Sequence, residues 1–381
     1  MIVERPALER RVLASLDAAR IPVVLGGCGV GRTSLLLRVE RLVGVERGQY
    51  LDLAAAATTP ERCLAAVRAA SRVRPPSGLA ATPPGSPRAA FDALMAFFDS
   101  ASGTGGPATF LLDEALDLRT FESFPGLRHV LRDVLTRLAA SPSRFVLASR
   151  FTARAHRLLR DAPARFEVMH VPPLDVAEVA TLARLFDGGR RDRAAPHAAA
   201  VAALSGGRAA YAHILLDAMT SMGSVIDPVA ALAALFAPDG RLTARCRESY
   251  EFRLHRARGY GALRAILGVL AEAEPINLTE ISQHLRRTPG STKDYLSWLE
   301  DVDLVTAQGK RYAYADPLLR VYVRLYGRPV PPTDVEVVRD VQAFAESRLA
   351  RIGERAAEPA FAAAADRQTA SDRDTGIIEI D

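Results

Sequence analysis

The chain has 381 residues, 49% of them apolar and 24% charged, which is too long for one ordinary domain and too apolar for a disordered chain. No run of about 18 apolar residues offers a membrane span, and the charged amino terminus lacks the apolar centre of a secretory leader, so a cytoplasmic protein is expected. Three scattered cysteines, Cys28, Cys63 and Cys246, exclude a disulfide framework and have no metal spacing. The net charge of +5 is uneven: residues 241–330 hold 15 basic and 10 acidic groups, residues 331–381 hold 6 and 11.

In chain order, the first 20 residues predict an amphipathic helix with Leu8, Val12, Leu13 and Leu16 on one face. Val23-Val24-Leu25 reads as a buried strand, Gly26 to Gly31 as a glycine-rich turn and Thr33 to Val43 as a helix. Strands are then expected at Tyr50–Leu53, Thr109–Asp113, Arg144–Ala148 and Phe166–Val171, with helices at Pro60–Val73, Arg88–Ser100, Leu127–Ala140 and around Ala153–Arg160. Pro75 to Pro87 and Gly103 to Gly106 read as flexible connections. Five short strands separated by helices imply an α/β fold with a parallel sheet covered on both faces, over residues 1–173.

Beyond Pro172-Pro173 the pattern turns helical, with Val176–Phe186, Pro196–Leu204, Ala209–Met222 and Pro228–Phe236 broken at Gly188-Gly189 and Gly206-Gly207. Residues 174–245 thus predict a small helical lid. Residues 246–330 predict a winged helix: helices Leu263–Ala271, Leu278–Leu285 and one from Thr288 to Glu300, then a hairpin over Val305–Tyr314. Residues 331–381 predict one helix, Val335–Glu354, and a largely disordered acidic tail closed by Ile377, Ile378 and Ile380.

The chemistry is concentrated in Gly26-Gly27-Cys28-Gly29-Val30-Gly31-Arg32-Thr33-Ser34. Glycines there let backbone N–H groups approach a polyphosphate at the positive end of the next helix. Thr33 supplies a hydroxyl for Mg²⁺. Arg32 stands where such loops carry lysine, a wider planar fork in place of a point charge. Only Lys293 and Lys310 are lysines in the chain, so a bias toward arginine accounts for the exchange as readily as a loss of function.

Phe110-Leu111-Leu112-Asp113-Glu114 completes the pattern: an apolar strand delivers Asp113 to the metal and Glu114 to a water that attacks the terminal phosphate. Ser149 and Arg150, at the end of the next strand, are candidates for sensing the phosphate, holding the water or neutralising charge. Arg165 and Arg208 are further candidates, from a neighbouring subunit and from the lid. Ser291, Thr292, Lys293 and Tyr295, with Lys310 and Arg311, are where a winged helix would meet duplex DNA, although Asp294, Glu300, Asp301 and Asp303 lie close by.

From Val3 to about Tyr326 this order of parts resembles the AAA+ superfamily, more narrowly the archaeal-type ATPases and the related STAND signalling ATPases. Gly26–Thr33 is similar to Walker A, Phe110–Glu114 to Walker B, Ser149-Arg150 to the sensor-1 strand end, and Leu204-Ser205-Gly206-Gly207-Arg208 to the sensor-2 segment. Arg165 falls where the family often carries an arginine, Arg5 and Glu9 loosely match an amino-terminal motif, and Tyr314-Ala315-Asp316-Pro317-Leu318-Leu319-Arg320 is similar to the segment closing the family's winged helix. The resemblance implies a P-loop NTPase sheet in the order 5-1-4-3-2 with ATP and Mg²⁺ held between core and lid. The expected function is a slow ATPase switch. The alternatives are a DNA-binding regulator and a non-hydrolysing scaffold, with a protein partner or homo-oligomer possible and no membrane.

Overall fold

The computed structural model describes residues 3–72, 85–99, 107–186, 195–221, 227–255 and 259–350. Strand and helix alternate through α1 (Pro6–Asp17), β1 (Ile21–Leu25), α2 (Arg32–Val43), β2 (Gly48–Asp52), the single turn α3 (Leu53–Ala56), α4 (Pro60–Ala70), α5 (Pro87–Phe98), β3 (Thr109–Asp113), α6 (Val130–Ala140), β4 (Arg144–Ser149), α7 (Thr152–Leu159) and β5 (Phe166–His170). Helices α8 (Val176–Phe186), α9 (Ala198–Ser205), α10 (Ala209–Thr220), α11 (Pro228–Leu235) and α12 (Arg241–His255) follow. Then come α13 (Tyr260–Ala273), β6 (Ile276–Asn277), α14 (Leu278–Leu285), α15 (Pro289–Asp301), β7 (Val305–Gln308), β8 (Arg311–Tyr314), α16 (Pro317–Tyr326) and a helix over residues 334–350.

Two compact units result. One gathers Met1–Pro173, Arg208–Ala210 and Glu248–Arg320; the other holds Leu174–Gly207, Tyr211–Arg247 and the described chain from Val321.

In the first unit the five-stranded sheet has the order β2-β3-β4-β1-β5, all parallel, as expected. Side chains alternate between its faces. Val24, Leu111, Val146 and Ala148 meet Val12, Leu16, Leu35, Leu36 and Val39 from α1 and α2. The opposite parity sends Phe110 and Phe145 against Phe98, with ring centroids at 5.2 Å and 6.2 Å from it. Asp113 has the parity of Leu111, so the strand that builds the core also aims this carboxylate at the α2 side. That is how a packing rule places a polar group.

The same unit contains a three-stranded antiparallel sheet, β6-β8-β7, beside α13, α14 and α15. Leu263, Ile266, Leu267, Leu270, Ile281, Leu296 and Leu299 are its buried apolar residues. Asn277 caps α14 through a reciprocal capping box with Glu280, which satisfies two backbone donors and fixes the turn out of β6.

The second unit is helical. Val179, Leu182, Leu204, Leu215, Met219, Leu232, Phe236, Val337 and Val341 are buried in it, and the Tyr326 hydroxyl donates to the Phe236 carbonyl at 2.6 Å. No helix among the described residues is long and apolar enough to cross a membrane.

Several elements differ from the sequence expectation. A 3-10 segment, Ala115–Ser123, precedes α6 because Ala115, Leu118 and Phe121 recur every three residues, the period of that helix. Helix α12 was not expected, since its buried stripe of Leu242, Cys246, Tyr250 and Leu254 is narrow and set among charges. Strand β6 and helix α16 are likewise additional. Val73 at the end of the expected helix, residues 75–84 of the Pro75–Pro87 connection, Gly103–Gly106, Gly188-Gly189 and the tail with Ile377, Ile378 and Ile380 lie outside the described residues.

Candidate nucleotide site

The glycine loop leaves the carboxyl end of β1 and enters α2 at Gly31, whose backbone is left-handed at φ 102°. A side chain there would be strained, and no side chain caps the first turn of α2, so its N–H groups are left to a ligand. At Gly27 a Cβ would stand 2.9 Å from Nη1 of Arg208, so this glycine gives the arginine room. Val30 is buried in the core and Cys28 is half-buried, so the loop presents backbone rather than side chains.

Arg32 turns inward. Its Nη1 donates to the carbonyls of Gly26 and Gly27, the latter at 2.7 Å, and its Nη2 to Glu114 Oε1 at 2.5 Å. Arg32 and Glu114 side chains are only 7% and 10% exposed. Among the described residues the Nε of Arg32 has no hydrogen-bond acceptor though it is buried, an uncommon state for a guanidinium.

Thr33 Oγ1 donates to Asp113 Oδ2 at 2.6 Å, and Tyr50 Oη donates to the same oxygen at 3.0 Å. The Glu114 amide donates to Oδ1 at 3.0 Å. Burial pushes the Asp113 carboxyl up from its ordinary value and the Thr33 hydrogen bond pulls it back. Burial, then the Asp113 charge, pushes the Tyr50 phenol up, so it remains a donor. Two hard oxygens, the Thr33 hydroxyl and the Asp113 carboxylate, fit a magnesium ion that draws its remaining ligands from phosphates and water. No cluster of three or more His, Cys, Asp or Glu side chains forms an alternative metal cage among the described residues.

Glu114 leaves β3 in a left-handed conformation, φ 53°. Its second oxygen accepts the Arg150 amide at 3.0 Å and lies 3.3 Å from the Arg150 Nε. Arg150 continues to Asp117 at 3.1 Å and lies over the Phe252 ring at 4.8 Å. Ser149 is buried and its hydroxyl accepts from the Phe151 amide at 3.1 Å. Arg208 Nη1 donates to the Cys28 carbonyl at 2.6 Å, Nη2 donates to the Ala315 carbonyl at 2.7 Å, and Nε is 3.8 Å from Asp316.

The fold thus brings together the loop, Asp113, Glu114, Ser149, Arg150 and Arg208. It does not bring Arg165. That side chain sits at the start of β5, the opposite end of the strand from Val171 and Gly26, and donates to the carbonyls of Ala19 at 3.1 Å and Ala139 at 2.5 Å. Tyr50, Asp117 and Phe252 were not singled out in the sequence. Tyr50 lay in an expected strand with no sign of its hydroxyl's direction, and Phe252 lay in the unforeseen α12.

On the face expected to meet DNA, Thr292 and Tyr295 are engaged in packing, whereas Lys293, Lys310 and Arg311 are exposed. Thr292 is buried and bonds to the Thr288 carbonyl at 3.0 Å, while Tyr295 lies against Trp298 at 5.2 Å and under the Arg287 guanidinium. Asp301, at the end of α15, pairs with Arg154 and Arg157 of α7. Burial and the neighbouring Arg119 and Arg157 charges lower Arg154 to about 10.

No protein-family model matches the chain, and no curated protein matches it. Among solved structures, a Walker-type ATPase of Pyrococcus abyssi superposes with a TM-score of 0.67 at 18% identity, covering 85% of this chain and 96% of that one. The Orc1 protein of Aeropyrum pernix in complex with DNA gives 0.44 at 15% identity, covering 92% and 95%. A STAND protein with a tetratricopeptide repeat sensor from Pyrococcus horikoshii gives 0.34 at 15%, covering 90% of this chain and 45% of that one. With its strand order and its loop between β1 and α2, the chain has an α/β P-loop NTPase fold, similar to that of the Walker-type ATPase of Pyrococcus abyssi.

Proposed function

We propose that the chain binds Mg-ATP and hydrolyses it slowly, acting as a switch between nucleotide state and the helix and hairpin module of α13–β8. The observation that carries this is the convergence of Thr33 on Asp113 at 2.6 Å beside the Arg32–Glu114 pair. Backbone amides of residues 27–33 would hold the phosphates, with Thr33 and Asp113 as the magnesium ligands. Bound magnesium supplies charge withdrawal from the phosphate oxygens.

Glu114 would take the proton of the attacking water. Both of its oxygens are engaged, one by Arg32 and one by the Arg150 amide. Phosphates that draw Arg32 to themselves free the first oxygen, so binding would expose the base. A base released only in this way supports slow turnover. Arg150 is placed to offset charge developing in the transition state.

The link to the module is Arg208, which holds the loop carbonyl of Cys28 and the carbonyl of Ala315 at once. A phosphate that claims this guanidinium loosens one of them, a differential contact of the kind a two-state element needs. Phosphate release from Mg-ATP should be lost in Glu114→Gln, and equal rates in the two proteins would defeat the catalytic part.

A second reading, contact with duplex DNA through the hairpin, is favoured by the exposure of Lys310 at its turn. Its test is salt-dependent binding that weakens on substitution of Lys310. Independently of the DNA reading, we propose a protein partner, a homo-oligomer in which Arg165 serves a neighbouring subunit, and a cytoplasmic setting.

A further inference from the structure

Tyr50 belongs to β2, not to either phosphate-binding motif, yet its hydroxyl reaches Asp113 Oδ2 at 3.0 Å. Its position is fixed from three sides. Its backbone stands opposite Leu111 in the β2–β3 register, two residues before the Asp52–Asp113 pair. Its amide donates to Glu40 Oε1 at 3.0 Å, and Glu40 lies on α2, the helix that carries Thr33. Its ring packs against the apolar cluster around Leu36, Val39 and Leu111. A tyrosine so held has few ways to move its oxygen, because the ring leaves only two side-chain torsions and both are set by packing.

Asp113 Oδ2 therefore has two donors, Thr33 and Tyr50, and Oδ1 has the Glu114 amide. Three donors around one carboxylate define its rotation about the Cβ–Cγ bond and hence which lone pairs face the Thr33 hydroxyl. Groups that hold a metal-binding side chain from behind act on affinity through orientation.

We propose that Tyr50 is a positioning residue for the divalent cation of the nucleotide: its hydroxyl locks the Asp113 carboxylate in the rotamer that meets the metal. The proposal rests on the Mg-ATP reading above. Nothing about it concerns nucleotide contact, since the hydroxyl is bonded to Asp113 and not to the loop.

The test is calorimetric titration of ADP into the full chain and into Tyr50→Phe, first in EDTA and then over a series of Mg²⁺ concentrations. Phenylalanine keeps the ring and its packing, and thermal melting checks that the variant folds as the parent does. Affinity in EDTA should agree within about twofold, while the Mg²⁺ concentration for half of the metal-dependent gain should rise about tenfold in the variant. Manganese in place of magnesium, read by its electron paramagnetic resonance signal, should show the same weakening without reference to turnover. A parent that gains from metal and a variant with the same midpoint would overturn the role of Tyr50 alone. A parent that takes up no ADP, or takes it up without any effect of metal, would overturn the site and this inference together.

Discussion

Arg32 and Glu114 meet at 2.5 Å in a buried ion pair, joining the residue that should hold phosphate to the residue that should activate water. Each is the other's partner, so on the reading proposed above nucleotide and base would compete for one guanidinium. That competition shapes the kinetics expected of the site.

Replacing Glu114 by glutamine preserves the shape of the pocket and removes the proton acceptor. Mg-ATP binding by calorimetry should persist, and phosphate release should fall by about 10²–10⁴-fold, the usual contribution of a general base. Retention of the parent rate would remove Glu114 from the chemistry.

Arg32→Ala leaves the buried Glu114 oxygen without its charged donor. Thermal or denaturant unfolding should register a loss of about 1.5–3 kcal/mol, the range for hydrogen bonds to charged groups, and nucleotide uptake should collapse. Arg32→Lys should recover uptake, because an ammonium reaches phosphates from the same helix turn.

Arg208→Ala should weaken ATP more than ADP. Its guanidinium stands beside Gly27, with Nη1 on the Cys28 carbonyl, so the reading proposed above would have it answer to the outer phosphate. Parallel titrations of both nucleotides give the ratio, and an unchanged ratio would deny Arg208 any discriminating role.

Stability should also carry a signature of pH. Burial pushes Asp303 up to about 6, against the opposing pull of Arg253 first and then Arg208 and Arg32. A carboxyl raised on folding binds protons more tightly in the folded state, so its contribution to stability falls as pH rises from about 4 to about 6 and stays low above that. Asp303→Asn removes the titration and suits the left-handed backbone there, φ 57°. Its melting temperature should exceed that of the parent at pH 7.5 and converge with it near pH 4.

The parallel sheet and the loop were readable because apolar runs of five residues, punctuated by glycine and ended by carboxylates, leave few alternatives. Asp113 and Glu114 were legible for the same reason: they are the carboxylates that close an apolar run, and Asp113 ends β3 with Glu114 just beyond it. Tyr50 was not, since sequence gives the face of a strand but not which neighbour an aromatic hydroxyl will reach. Helix α12 escaped because Leu242, Cys246, Tyr250 and Leu254 form a stripe one residue wide among arginines and glutamates. Arg165 was read as serving a neighbouring subunit, and within its own chain its side chain hydrogen-bonds to the carbonyls of Ala19 and Ala139 at the strand end remote from the loop.

Glu114 also stands where its own backbone is unfavourable, at φ 53° with a Cβ to accommodate. A left-handed turn of this kind costs an ordinary residue about 1–2 kcal/mol that glycine would escape. Glu114→Gly would thus ease the main chain while leaving two guanidinium-bearing neighbours facing empty space. A polypeptide chosen for durability alone has reason to discard the carboxylate; one that keeps it accepts local discomfort in exchange for chemistry, and heat tolerance and activity should pull this position in opposite directions.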